Sequence, residues 1–201
     1  MNIAQGPPTP EPNRQAGALP DLSPGQSLAT SAGVPTTVAV TPFADQRVVE
    51  VDGGDWSLSV AVSDQNGEVG GTSDSPLIRM TQSGQGSVSG DGFQPGTVAS
   101  LWMFSDPTLL GTVTVAEDGS FDVQFLVDAQ FLPVGEHTLQ VQGVGTDGYI
   151  KAANLGVLID AAPAVTTADS ALTLIWWVLA AVTLIALVIV LLVARRRREQ
   201  N

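Results

Sequence analysis

From Ala171 to Ala194 the chain reads ALTLIWWVLAAVTLIALVIVLLVA, twenty-four residues without a charged side chain. No other feature restricts so tightly what this sequence can fold into. At ~1.5 Å per residue a helix of that length reaches ~36 Å, against a bilayer hydrocarbon core of ~30 Å, so it spans with some tilt. A helix that is apolar on every face needs an apolar surround, and 201 residues are too few to build one in water. The expectation is a single transmembrane helix at 171–194.

The flanks orient it. Arg195, Arg196, Arg197 and Arg198 follow the apolar run, while Asp160 and Asp169 are the charges nearest its other end. Arginine clusters stay on the cytoplasmic side, so residues 195–201 are expected to form a basic cytoplasmic tail. Trp176 and Trp177 fall in the first two turns, where an indole keeps its body in lipid and its N–H near the headgroups of the outer leaflet. These six residues are the expected membrane anchor. Ala180, Ala181 and Ala186 lack the four-residue spacing of a helix-pairing stripe. The implied location is the plasma membrane, single-pass, with the N-terminal domain extracellular.

Met1 to Pro8 shows no basic stretch followed by an apolar one, so the chain is expected to be a mature product or a fragment. The competing topology leaves the folded part in the cytosol with the tail outside, and four arginines on the far side oppose it.

Charge narrows the partners. Residues 1–194 hold nineteen acidic side chains, all but Glu199 of the twenty, against four basic ones, a balance of about −15. Phosphate backbones are bound by clustered Lys and Arg, so nucleic acid is excluded as a partner class. With no cysteine there is neither a disulfide framework nor a thiolate metal site. With His137 as the single histidine, most general-base and zinc constellations lack their parts.

Residues 1–35 contain seven prolines and no aromatic residue, and are expected to be a disordered Pro-rich linker. Residues 36–160 change character: short alternating runs are separated by Gly, Asp and Asn every ~8 to 15 residues, which predicts an all-β sandwich. Trp56, Leu58, Val60 and Val62 alternate with Ser57, Ser59, Ala61 and Ser63. Phe121, Val123, Phe125 and Val127 alternate with Asp122, Gln124 and Asp128, and Leu139 and Val141 with Thr138, Gln140 and Gln142. Each pattern predicts a strand with one wet face. Val98 to Phe104 is almost continuously apolar and predicts a central strand, with Trp102 as a core anchor. Asn66-Gly67, Asp118-Gly119 and Asp147-Gly148 are expected to be tight hairpin turns, since glycine takes the positive φ they need. Residues 161–170 are the spacer to the membrane.

The residues VSGDGFQPGTVASLWMFSDPTLLGTVTV, EDGSFDVQFLVD, GEHTLQVQGVGTDG and ANLGVLI, in that order from Val88 to Ile159, resemble the Ig-like modules of actinobacterial cell-surface proteins. The similarity reaches back to Trp56-Ser57-Leu58-Ser59-Val60. It implies an immunoglobulin-like β-sandwich serving as stalk, spacer or adhesion unit, with no catalytic residue carried over. Such proteins can end in a Leu-Pro-x-Thr-Gly sorting signal; here Leu132-Pro133-Val134-Gly135 matches it in part and sits elsewhere.

Few motifs compete. Gly143-Val144-Gly145-Thr146-Asp147-Gly148 fits the dinucleotide fingerprint G-x-G-x-x-G, which works between a parallel strand and a helix N-terminus, and a strand-like segment follows instead. Asp52, Asp55, Asp64 and Asp91 offer oxygen ligands to Ca²⁺ if two of their turns meet at one pole of the sandwich, although Asp and Asn also make ordinary turns. No G-x-S-x-G elbow occurs, and any serine triad would have to use His137, whose strand phase suggests a partly buried ring at the edge of the core. The sequence thus reads as a non-enzymatic surface module without a cofactor. Its partners would be the lipid bilayer and a surface protein or glycan. A ligand-binding or sensing ectodomain, calcium-dependent through the acidic turns, is the alternative.

Overall fold

Two sheets share one apolar interior, and which residues enter it follows from the strand period of two. The computed structural model describes residues 21–163 and Trp177. Thirteen strands run in chain order: β1 Ser27–Ser31, β2 Val34–Thr36, β3 Ala39–Phe43, β4 Val48–Asp52, β5 Ser57–Val62, β6 Glu68–Thr72, β7 Ser75–Thr81, β8 Gln85–Asp91, β9 Val98–Phe104, β10 Thr108–Thr114, β11 Phe121–Leu126, β12 Gly135–Val144 and β13 Ile150–Asp160. Among the described residues one 3₁₀ turn occurs, Ala44–Gln46, which links β3 to β4. Among the described residues no helix is long and apolar enough to cross a membrane. Residues 1–20, Trp176 and Arg195–Arg198, with nearly all of the expected span at 171–194, lie outside the described residues. Trp177 is helical and exposed.

The five-stranded sheet has the order β11-β8-β5-β4-β3, antiparallel throughout. The eight-stranded sheet has the order β10-β9-β12-β13-β1-β2, with β7 added to β13 and β6 to β7. Strand β13 divides its edge: residues 151–155 pair antiparallel with β1, and residues 157–160 pair parallel with β7. Gly156 lies at the division, where a Cβ would stand 1.9 Å from the Ser23 carbonyl oxygen. Only a residue without a side chain lets the incoming chain pass this close.

The alternation read in β5 holds, with Leu58, Val60 and Val62 buried and Ser57, Ser59 and Ala61 half-buried. In β11, Phe121 and Phe125 point inward and Asp122 and Gln124 outward. Each ring covers a glycine across the ladder, Phe121 opposite Gly90 and Phe125 opposite Gly86. Phe93, fully buried, joins the layers: its ring centroid is 6.2 Å from Trp56 and 5.1 Å from Phe121, both edge-to-face.

Four expectations are corrected. The Pro-rich linker does not extend to residue 35, because β1 and β2 lie inside that range and Ser27–Ser31 pairs with Lys151–Leu155. Seven prolines disguised a short strand whose Ala29 and Thr30 are buried. Strand β12 has no wet face: Thr138, Gln140 and Gln142 are as buried as Leu139 and Val141. Trp102 is half-buried on the face of β9 away from Ala99, Leu101 and Met103, and Phe93 takes the anchoring place assigned to it. The Asp118-Gly119 and Asn66-Gly67 turns are not hairpins, since β10 and β11, like β5 and β6, belong to different sheets. These turns pass the chain between layers, whereas Asp147-Gly148 does close the β12–β13 hairpin.

Candidate functional site

Among the described residues two side chains, Lys151 and His137, carry the chemistry that a site would need, and the fold places them at opposite ends of the two-sheet body. Lys151 opens β13 beside the Asp147-Gly148 turn. It is buried, and its Nζ donates to Asp147 Oδ2 at 2.6 Å and to Ser31 Oγ at 3.2 Å, with Asp55 Oδ2 at 3.4 Å. Burial disfavours the ammonium, but the Asp147 hydrogen bond and the nearby Asp55 charge outweigh it, holding the Lys151 pKa above its ordinary 10.5. The lysine is therefore a charged tie rather than a nucleophile. It joins β1, the β12–β13 turn and the Asp55 loop at one point.

Asp147 answers in kind. Its Oδ2 accepts from Lys151 and its Oδ1 from the Tyr149 amide, and the two contacts hold its pKa below the ordinary 3.8. Asp118 is lowered in the same way by the hydroxyl and amide of Ser120, which it accepts in its own turn. Acidic turns here are built by carboxylates capping backbone N–H groups.

Three of the four calcium candidates, Asp52, Asp55 and Asp91, lie at one end of the sandwich and Asp64 at the other. Asp52 faces Ser57 and Ser57 faces Asp91 across β4, β5 and β8, so these lie at the Lys151 end with Asp55. Asp52 caps the Gly54 amide at 2.8 Å, and Asp55 is engaged by Lys151. Asp64 follows β5 at the opposite end, bonded to the Thr81 hydroxyl and the Asn66 amide. Among the described residues no three His, Cys, Asp or Glu side chains converge in metal-binding geometry.

His137 lies in phase with Leu139 and is buried. Its Nε2 donates to the Pro133 carbonyl at 2.8 Å, since a carbonyl only accepts, and Nδ1 meets Ser105 Oγ at 3.1 Å. Nε2 thus staples the 127–134 loop to the sheet, and Nδ1 ties in the Ser105 turn after β9. Among the described residues its ring partners are a hydroxyl and a backbone carbonyl rather than a carboxylate, so the triad geometry is not assembled there. G-x-G-x-x-G at 143–148 is the end of β12 and its turn, followed by β13 rather than a helix.

Sequence reasoning missed a row of buried amides on the face of the eight-stranded sheet turned away from the core. Gln140 Nε2 donates to Asn154 Oδ1 at 2.7 Å, and Asn154 Nδ2 donates to the Leu28 carbonyl at 2.9 Å. Among the described residues every buried side-chain nitrogen and oxygen has a partner. The signal was present in β13, where Asn154 interrupts an otherwise small and apolar run. An open depression of about 400 Å³ near the Lys151 end is lined by Ala32, Gly33, Gly148, Tyr149 and Ile150, which offer a phenol as their sole ionisable group.

No family model matches the chain, and no curated protein matches it. Among solved structures, one of a Jonesia denitrificans lytic polysaccharide monooxygenase aligns with 16% identity over 43% of this chain and 59% of that one, with a TM-score of 0.31. A likeness at that level carries no argument about fold or activity.

Proposed function

We propose that the chain is a non-enzymatic, membrane-anchored cell-surface module, an immunoglobulin-like stalk or adhesion unit held outside the cell. The observation that carries this reading is the uncharged run 171–194, closed by Arg195–Arg198 and preceded by a folded two-sheet unit whose last strand ends at Asp160. An apolar helix followed by four arginines is a stop-transfer pattern, and it puts the β-unit on the trans side.

The chemistry of the unit fits a load-transmitting or docking body. Its one buried lysine is paired, its histidine is a staple, and the acidic turns cap their own backbones. Strong negative charge on the outer surface disfavours anionic polymers and suits a partner that is a surface protein or a neutral glycan. The resemblance to actinobacterial surface modules agrees in kind.

Protease shaving of intact cells tests the topology. External protease is expected to release the β-unit by cutting in 161–170, leaving a short membrane-bound C-terminal remnant. A β-unit cut only after the cells are lysed contradicts the reading.

A further inference from the structure

We propose that the end of the sandwich bearing Leu126, Phe131 and Val134 rests against the lipid headgroup boundary of the membrane that the chain enters. This rests on the membrane-anchored reading and adds a lipid-contacting surface to the folded unit.

Leu126, Phe131 and Val134 are 51%, 59% and 54% exposed. Single exposed apolar residues are ordinary on protein surfaces, but these three share one end and one short segment. The segment is firmly held. Leu132, between the two exposed neighbours, is buried; the Phe131 and Leu132 amides donate to the Asp128 carbonyl at 3.0 and 2.8 Å. Gln82 Nε2 donates to the Leu132 carbonyl at 3.0 Å and His137 to that of Pro133 at 2.8 Å. Phe131 and Val134 therefore face water on a pinned loop while its central side chain is inside.

The chain leaves the sheet at this same end. Gly135 pairs with Ile159, the Gln82 amide donates to the Asp160 carbonyl, and β13 stops at Asp160. Ten residues then separate Asp160 from Ala171, a reach of at most ~33 Å. The opposite end also exposes apolar side chains, Val34, Tyr149 and Ile150. Strand β13 runs from Ile150 to Asp160, so that end lies ~33 Å from the exit at the usual rise of a strand. Bringing it to the membrane would consume the whole tether, whereas the Phe131 end needs almost none. Asp128, Glu136 and Asp160 lie at this end, with Arg79 paired to Asp160 at 3.1 Å, so the fitting surface is zwitterionic rather than anionic lipid.

The absence of cysteine makes a clean probe available. An environment-sensitive fluorophore is placed on Gln130→Cys, beside Phe131, and separately on Glu117→Cys in the turn at the opposite end, both exposed positions. The full chain is reconstituted into phosphatidylcholine vesicles. Blue-shifted emission and quenching by nitroxide-labelled lipid are expected at 130 and not at 117. Both signals at 130 are expected to disappear when Phe131→Ser and Val134→Ser are added, with the thermal melt unchanged. Water-like emission at 130 in protein that co-floats with the vesicles overturns the proposal and leaves the anchor standing. Protein that fails to co-float without detergent overturns both.

Discussion

In the five-stranded sheet, β8 alternates buried and half-buried residues from Gly86 to Gly90, whereas in the eight-stranded sheet β12 keeps every residue from His137 to Gly143 buried. The two strands look alike in sequence, each carrying polar residues at every second position. What separates them is whether the polar phase meets water or other polar groups. On β8, Ser87 and Ser89 are half-buried, and no partner is required of them. On β12, Gln140 must be matched, and Asn154 and the Leu28 carbonyl complete the chain of hydrogen bonds. Polarity in a strand thus marks a wet face in one sheet and a satisfied interior network in the other.

The largest effect should come from the residue both sheets share. Phe93→Ala is expected to destabilise the unit by ~3–5 kcal/mol in urea unfolding of the detergent-solubilised chain followed by tryptophan fluorescence. A loss below ~1 kcal/mol would separate the two sheets energetically and break the comparison. Gly156→Ala comes next, at ~1–3 kcal/mol, because its methyl group would collide with the Ser23 carbonyl and lift the entering chain off β13. If that variant is neutral, residues 21–31 are not part of the folded unit.

The comparison itself is sharpened by a matched pair. Gln140→Leu removes the donor to Asn154 and is expected to cost ~1–3 kcal/mol, while Ser59→Val, on the half-buried phase of β5, should stay within ~0.5 kcal/mol. Equal effects would mean that the polar face of β12 meets water after all.

The smallest effect is on pH dependence. Because Asp147 is lowered in the folded unit, its stabilisation is present above pH 3.8 and is lost as pH falls through the lower folded value. Because Lys151 is raised, its contribution is present below pH 10.5 and is lost as pH climbs through the higher folded value. The midpoint of thermal unfolding should fall at both extremes, and Lys151→Met should flatten the alkaline limb. Since both carboxylate partners are substantially exposed, Lys151→Met should shift the neutral-pH midpoint by less than half of the shift caused by Phe93→Ala.

The parts of the fold that were legible obey a single local rule. Trp56 to Val62 and Phe121 to Val127 alternate because one face meets the core, and the period alone reveals it. The strand Ser27–Ser31 was hidden because SLATS is short and sits among prolines, and its order depends on β13 more than a hundred residues away. Asp118-Gly119 announced a turn but not its destination, since a turn sequence sets local φ and leaves strand partners to tertiary packing. Among candidate site residues, the Asx turns at Asp52 and Asp64 were readable from Asp-Gly and Asp-Asn spacing. The Lys151 tie was not, because Ser31 and Asp55 reach it from distant parts of the chain.

Alkaline carbonate extraction of native membranes tests the central claim most directly. The full chain is expected to stay in the pellet at high pH and to enter solution when detergent is added, while a chain ended at Pro163 should be released without detergent. Recovery of the full chain in the carbonate supernatant, with the β-unit still folded, would contradict the account.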